Sequence, residues 1–203
     1  MTNIDGKFWD ERYAGSETVY GREPNEFFKE QLNRLEPGKI IMPGDGEARN
    51  GIYAAKKGWE VHSLDYSSVA RGKALKFAEE AGVKINYDVA DLNEYNPGEN
   101  IYNAAGLIYV HLHTDTRKLI LGKIQDSVKP GGTVIFEGYS KEQLGKDSGG
   151  PQNPDMLYEL EEIRNIFYRF SPLLLGRENI FLSESKFHSG EASVIRFVGI
   201  KEE

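Results

Sequence analysis

The chain of 203 residues carries 25 Lys and Arg against 32 Asp and Glu, a formal charge of −7, and no cysteine. Such a length suits one domain, read as 1–203, with a core of its own. The missing cysteine excludes a disulfide scaffold, a thiolate metal site and a thiol nucleophile. The acidic balance argues against nucleic acid as the main partner, because a phosphate backbone selects a basic face.

The start, Met1-Thr2-Asn3-Ile4-Asp5-Gly6, has no basic-then-apolar leader, and no apolar run approaches ~18 residues. A cytoplasmic protein without a membrane span is expected. Residues 7–35 read as a helical preface within a lid segment over 1–36. Phe8, Trp9 and Tyr13 come first, then Tyr20-Gly21-Arg22-Glu23-Pro24-Asn25, then Phe27, Phe28, Leu32 and Leu35 at helical spacing. Pro24 suits a first helical turn, and Pro37-Gly38 ends the preface. Over 37–203 strand and helix signals alternate. A strand over 39–42 and a helix over 47–57 end at Gly58. A strand over 60–65 leads to a helix from the N-cap Ser67 to about Ala81, with Ala70, Ala74, Phe77 and Ala78 on one face, and a third strand follows over 83–88. The nearly continuous apolar run over 104–110 reads as a strand buried on both faces. A helix over 115–128, a Pro130-Gly131-Gly132 turn and a strand over 133–137 come next. A polar loop over 145–153 precedes a helix over 155–170, and two strand-like runs, 179–184 and 192–200, close the chain as a hairpin. Alternating strands and helices mean a parallel sheet with crossovers, and late strands without helices mean an antiparallel edge.

Chemistry concentrates where strands end. Gly44-Asp45-Gly46 follows the first strand and opens a helix, where free N–H groups and permissive glycines let a ligand approach the backbone. A dinucleotide fingerprint would put a third glycine where Arg49 stands. Asp65 closes the second strand at the distance expected of a ribose-binding acid, and its carboxylate can accept from both ribose hydroxyls. The plainer reading makes it a carboxylate at a helix N-terminus. Asp91, after the third strand, is placed to meet a base or to cap its own loop. This order of groups suits a nucleoside cofactor such as S-adenosyl-L-methionine (SAM).

The chain resembles SAM-dependent methyltransferases of the tellurite-resistance TehB-like and thiopurine-methyltransferase-like group. The resemblance runs through Phe8-Trp9-Asp10-Glu11-Arg12-Tyr13, Val19-Tyr20-Gly21, Pro24-Asn25, Gly44 to Asn50, Leu64-Asp65-Tyr66-Ser67 and Ala90-Asp91-Leu92. It continues through His111-Leu112, Lys129-Pro130-Gly131-Gly132, Glu137-Gly138-Tyr139 and Gly149-Gly150-Pro151. It implies an α/β fold: a Rossmann-like, seven-stranded, mostly parallel sheet with helices on both faces, an antiparallel C-terminal edge and an N-terminal helical lid. It implies that Gly44, Asp45, Gly46 and Arg49 hold the methionine part of SAM. Asp65 and Tyr66 would meet the ribose, and Ala90, Asp91 and Leu92 the adenine. Trp9, Tyr13 and Tyr20 would form the lid. Three positions depart from the family pattern: Met42 replaces a strand-end acid, Ala48 a third glycine, and Asn103 an Asp.

Methyl transfer from a sulfonium needs alignment and exclusion of water, and a base only if the acceptor must lose a proton. Tyr109 and His111 follow the fourth strand, where open α/β sheets bind ligands, and are the catalytic candidates. His113 alternates with His111, but no third ligand for a metal is evident, so none is expected. His62 and His188 read as structural. The loop over 145–153 is long enough to border an acceptor. The expected partner is a small-molecule acceptor with an S, Se, Te, N or O nucleophile, and the protein is a monomer or dimer. Two other readings stay open: a methyltransferase-fold protein that has lost SAM binding, and an NAD-dependent oxidoreductase.

Overall fold

The computed structural model describes residues 6–203; Met1–Asp5 of the expected lid lies outside the described residues. The preface is two short helices, α1 (Gly6–Tyr13) and α2 (Glu26–Leu32), rather than one helical stretch. Asn25 explains the second start, since its side chain accepts from the Phe28 N–H as an N-cap.

Next come β1 (Lys39–Pro43), α3 (Arg49–Lys56), β2 (Glu60–Asp65), α4 (Ser68–Glu80) and β3 (Asn86–Val89). Then follow β4 (Tyr102–Ile108), α5 (Thr114–Ser127), β5 (Val128–Tyr139), α6 (Leu160–Ile166), β6 (Phe170–Ser185) and β7 (His188–Lys201). The seven strands form one sheet in the order β3-β2-β1-β4-β5-β7-β6. The first five are parallel and β7 pairs antiparallel with both β5 and β6, as the sequence implied.

Period-two alternation in β1 divides the core. Ile41 joins Ala105, Leu107, Phe136 and the inner faces of α5 and α6. Ile40 and Met42 join Ala104, Ile135 and the aromatic face of α2 on the opposite side. Ala70, Ala74 and Ala78 of α4 are buried as expected. Met42 thus occupies apolar core, where an acid would lie unpaired beside Phe28 and Gly106.

Three boundaries differ from the sequence reading. The Lys129-Pro130-Gly131-Gly132 turn is an excursion inside β5, because Tyr102 pairs with Val128 and Ala104 already pairs with Thr133. The helix expected over 155–170 shrinks to α6, preceded by a 3-10 turn at Pro154–Met156. The C-terminal hairpin is much longer than expected, since β6 is an edge strand whose exposed polar positions hide its strand character.

Strand order reverses between β1 and β4, which lie side by side with Ile40 opposite Ala104. Such a switch point opens a crevice at the carboxyl ends of the strands. The glycine turn after β1 and the Tyr109–His113 segment after β4 both enter that crevice.

Candidate active site

A cavity of about 430 Å³ occupies this crevice. Of the residues named from sequence, Trp9, Tyr20, Gly44, Asp45, Arg49, Asp65, Tyr66, Asp91, Leu92, Tyr109 and His111 line it. Gly46 and Ala90 do not. Gly46 supports the wall from behind: its N–H donates to Asp65 Oδ2 (3.0 Å) and its carbonyl accepts from the Tyr87 hydroxyl (2.5 Å). The Ala90 N–H donates to the Asp65 carbonyl.

The glycine turn depends on left-handed backbone, with φ +64° at Gly44 and +54° at Gly46. Ala48 holds the same region at φ 59°, so the turn keeps its shape with a methyl in place of the third glycine. Asn103 lies at the start of β4, away from the crevice, where its Oδ1 accepts from the Lys39 N–H (3.0 Å). It serves the base of the sheet.

Two buried carboxylates face each other's field across this turn. Asp45 Oδ2 accepts from the Ser63 hydroxyl (2.6 Å) and is held by the Gly51 backbone, whereas Oδ1 has no hydrogen-bond partner. Burial pushes the Asp45 carboxyl up to about 7. Asp65 accepts from the Gly46 and Ser67 N–H groups (both 3.0 Å), and burial raises its carboxyl too. Among the described residues neither is in an ion pair. Arg49, the nearest guanidinium in sequence, is committed to Glu184 (2.7 Å).

Asp91 is fixed by an Asx turn, accepting from the Asn93 N–H (2.8 Å) and side chain (2.9 Å), and also from the Tyr66 hydroxyl (2.9 Å). Asp91 is therefore a loop cap that also borders the cavity.

The lid is latched. Asp10 of α1 accepts from Ser67 Oγ (2.6 Å), Ser68 Oγ (3.2 Å) and the Val69 N–H (3.1 Å) at the start of α4. These bonds hold its carboxyl below the ordinary range. The latch stacks Trp9 on Tyr13 and brings the Tyr13 ring over Gly46. A second tie explains two motifs far apart in sequence. Asn25 donates to Glu137 Oε1 (2.7 Å), and its own N–H donates to Asn50 Oδ1 (2.9 Å). Glu137, fully buried, also accepts from Arg196 Nε (2.6 Å).

At the other end of the cavity stand aromatic rings. Tyr109 leaves β4 with φ 55°, an uncommon conformation for a bulky residue that turns its ring inward. It stacks on Tyr139 at 4.7 Å between ring centres, and His111 also stacks on Tyr139, at 5.4 Å. His111 Nδ1 lies 2.9 Å from the Met156 carbonyl. A carbonyl can only accept, so Nδ1 carries the proton and Nε2 is the basic nitrogen. Nε2 has no partner, and burial pulls the imidazole down to about 4, so the ring is neutral near pH 7. The loop is held by Arg117, which donates to the carbonyls of Leu112 (2.8 Å) and Asp155 (2.8 Å) and to Glu162 (2.6 Å).

His113 does not join His111. It pairs with Asp155 Oδ2 (3.0 Å) at the cavity rim. Among the described residues no cluster of three or more His, Cys, Asp or Glu is arranged to hold a metal. His62 is hydrogen-bonded to Tyr102 (2.7 Å) and Asp88 (2.8 Å) and does not line the cavity. His188 is not merely structural: it lines the cavity between Tyr20 and Tyr109 and pairs with Glu184. Arg12, Tyr139 and Phe187 also line the cavity and were not singled out as site residues. Tyr139 sat in a quoted motif, and Arg12 shares a helical face with Trp9. His188 and Phe187 carry no local signal, because only the β6–β7 turn brings them here.

Residues 40–132 match the family model of a methyltransferase domain. Hemagglutinin 1 of Eikenella corrodens is 23% identical over 105 residues, 51% of this chain and 35% of that protein, so the chain spans about a third of the length of that curated relative. TehB from Haemophilus influenzae superposes with a TM-score of 0.74 at 15% identity, over 97% of this chain and 67% of that one. The 1,6-didemethyltoxoflavin-N1-methyltransferase of Burkholderia thailandensis, solved with 1,6-didemethyltoxoflavin and S-adenosylhomocysteine bound, superposes with a TM-score of 0.68 at 15% identity, over 97% of this chain and 86% of that one. At these identities the shared property is the fold.

Proposed function

We propose that the chain is a SAM-dependent methyltransferase acting on a small-molecule acceptor in the cytoplasm, as a monomer or dimer. The observation that carries this reading is the pair of buried carboxylates, Asp45 and Asp65, which line the cavity and have no ion-pair partner among the described residues. Isolated buried charge is costly, and a ligand bearing positive charge relieves it. SAM brings an ammonium and a sulfonium; NAD brings a pyrophosphate, which this turn would repel. The match to a methyltransferase-domain model over 40–132, and the S-adenosylhomocysteine bound by the 1,6-didemethyltoxoflavin-N1-methyltransferase of the same fold, support the same ligand.

On this reading Gly44, Asp45, Gly46 and Arg49 hold or shape the methionine end. Asp65 and Tyr66 serve the ribose, Ala90, Asp91 and Leu92 the adenine side, and Trp9 and Tyr20 close the lid. When bound, SAM supplies a methyl group already activated on sulfur. The chain's own residues then position the acceptor and exclude water. His111 Nε2 takes a proton if the acceptor has one to lose, and Tyr109 shapes the acceptor wall. The test is calorimetric titration with S-adenosylhomocysteine, repeated on Asp65→Ala. Binding that Asp65→Ala weakens supports the reading. Heat from NAD but none from S-adenosylhomocysteine would replace it with the oxidoreductase.

The reading in which SAM binding has been lost finds little support at the three departures. Met42 has become core, Ala48 keeps the turn, and Asn103 is remote from the cavity.

A further inference from the structure

The aromatic end of the cavity carries three buried polar atoms without partners, Tyr109 Oη, His111 Nε2 and Tyr139 Oη. Such atoms are costly when left unsatisfied, and buried polar groups are as a rule hydrogen-bonded. Tyr109 Oη lies in the field of the Glu137 carboxylate, and the other two have opposite senses. Nε2 can only accept, because Nδ1 spends the ring's proton on the Met156 carbonyl. Tyr139 Oη is kept protonated by burial and by the nearby Glu184 and Glu137 charges, so it is available to donate. The rings pack on one another there, Tyr139 against Tyr109 at 4.7 Å and His111 at 5.4 Å, His188 against Tyr109 at 4.6 Å and Tyr20 at 4.9 Å, and all five line the cavity.

We infer that the methyl acceptor is a flat, neutral heterocycle that presents an exchangeable O–H or N–H to His111 and a hydrogen-bond acceptor to Tyr139. This rests on the methyltransferase reading above and gives it a substrate class. Aromatic walls recognise π faces, and the two polar atoms read one donor and one acceptor on a ring edge. An oxyanion such as selenite or tellurite is disfavoured. Arg196, Arg49 and His188 are paired with Glu137, Glu178 and Glu184. Arg12, which lines the cavity in no ion pair among the described residues, stacks on Phe187 at 4.7 Å, and Asp45 and Asp65 line the same cavity. A thiolate does not fit either, since it reacts without a proton and leaves Nε2 unused.

In the step so defined, a lone pair on the acceptor's oxygen or nitrogen forms the bond to the methyl carbon. The carbon–sulfur bond gives its electron pair to the sulfonium sulfur, leaving a thioether. The acceptor's proton passes to His111 Nε2. An imidazole pulled down to about 4 is a weak base at rest. It suffices here because O–H or N–H acidity rises steeply as the atom gains its methyl group. The Gly149–Gly150 turn packs against the Tyr139 ring and hydroxyl, so ring entry displaces this turn.

The experiment is calorimetric titration of the S-adenosylhomocysteine complex with 4-hydroxyquinoline, quinoline, thiophenol and selenite. It is repeated on His111→Phe and Tyr139→Phe, with methyl transfer from SAM followed by mass spectrometry. 4-Hydroxyquinoline should bind about ten-fold tighter than quinoline, the effect of one net hydrogen bond. That advantage should vanish in His111→Phe while quinoline binding persists, and this persistence shows that the variant is folded. Equal binding of the two rings, or binding and turnover of selenite or thiophenol without the ring compounds, overturns the inference. If S-adenosylhomocysteine itself fails to bind, the methyltransferase reading falls. The same ring titration on the unliganded protein then decides whether the aromatic site stands alone.

Discussion

Asp45→Asn should make the ligand-free protein more stable at pH 8 and not at pH 5. Burial raises the folded-state carboxyl from 3.8 to about 7. A group so raised contributes stability that is fully present below its unfolded value and lost as pH rises through its folded one. By pH 8 the ionised carboxylate therefore costs the ligand-free fold about 4 kcal/mol. Asn keeps one oxygen for the Ser63 hydroxyl and the Gly51 backbone, and puts an NH2 where Oδ1 has no partner. That unsatisfied donor returns about 1–3 kcal/mol of the gain. A net near 2 kcal/mol raises Tm by about 4–8 °C at pH 8 in a chain of this size. At pH 5 wild-type Asp45 is already protonated, so the variant should match or fall below it. S-adenosylhomocysteine should reverse the order at pH 8, because its ammonium stabilises the wild-type carboxylate and has no charge to meet in the variant. Scanning calorimetry at both pH values, with and without ligand, makes the comparison. A variant less stable than wild type at pH 8, or a gap that does not change with pH, refutes the argument that Asp45 is an uncompensated buried acid.

Three further outcomes follow from particular contacts. Gly51→Ala places a methyl against Asp45 Oδ2 and 2.7 Å from Ser63 Oγ, so it should lower stability by about 1–3 kcal/mol and abolish cofactor binding, read by denaturant unfolding and calorimetry. His111→Gln should flatten the acid side of the stability profile: the wild-type imidazole, depressed from 6.5 to about 4, loses about 3 kcal/mol as pH falls through that window. Asp45 pulls the other way over the same range but is common to both proteins, so urea unfolding at pH 7 and pH 4 isolates the difference; an unchanged gap contradicts it. Asp10→Ala removes the three bonds that latch α1 to α4, and hydrogen exchange should quicken over residues 6–20 while the central strands stay protected.

The parallel half of the sheet was legible because its signals are local. β1, β2 and β4 are short apolar runs closed by Gly44, Asp65 and Tyr109, and the first two are followed by amphipathic helices. The antiparallel half was not, because β6 is mostly exposed or half-buried and takes its register from β7 rather than from its own composition. At the site, Asp45 and Asp65 could be named from the glycine turn and its downstream acid. That Asp45 lacks an ion-pair partner could not, since Arg49 is drawn away to Glu184 by the fold. The aromatic end was half legible. Tyr109 and His111 follow a strand and invite notice, whereas Tyr139 and His188 are joined to them only by the pairing of β5 with β7. Asn25 and Glu137 stood out as separate motifs, and the hydrogen bond between them makes them one feature.

The proposal that the glycine turn and its two buried acids hold SAM is tested by calorimetric titration of the chain at pH 8 with S-adenosylhomocysteine, beside NAD. Micromolar binding of S-adenosylhomocysteine is expected, weakened as the pH is lowered through about 7, where Asp45 takes up a proton, with no heat from NAD. No binding of S-adenosylhomocysteine at millimolar concentration, or affinity that rises on acidification, contradicts it.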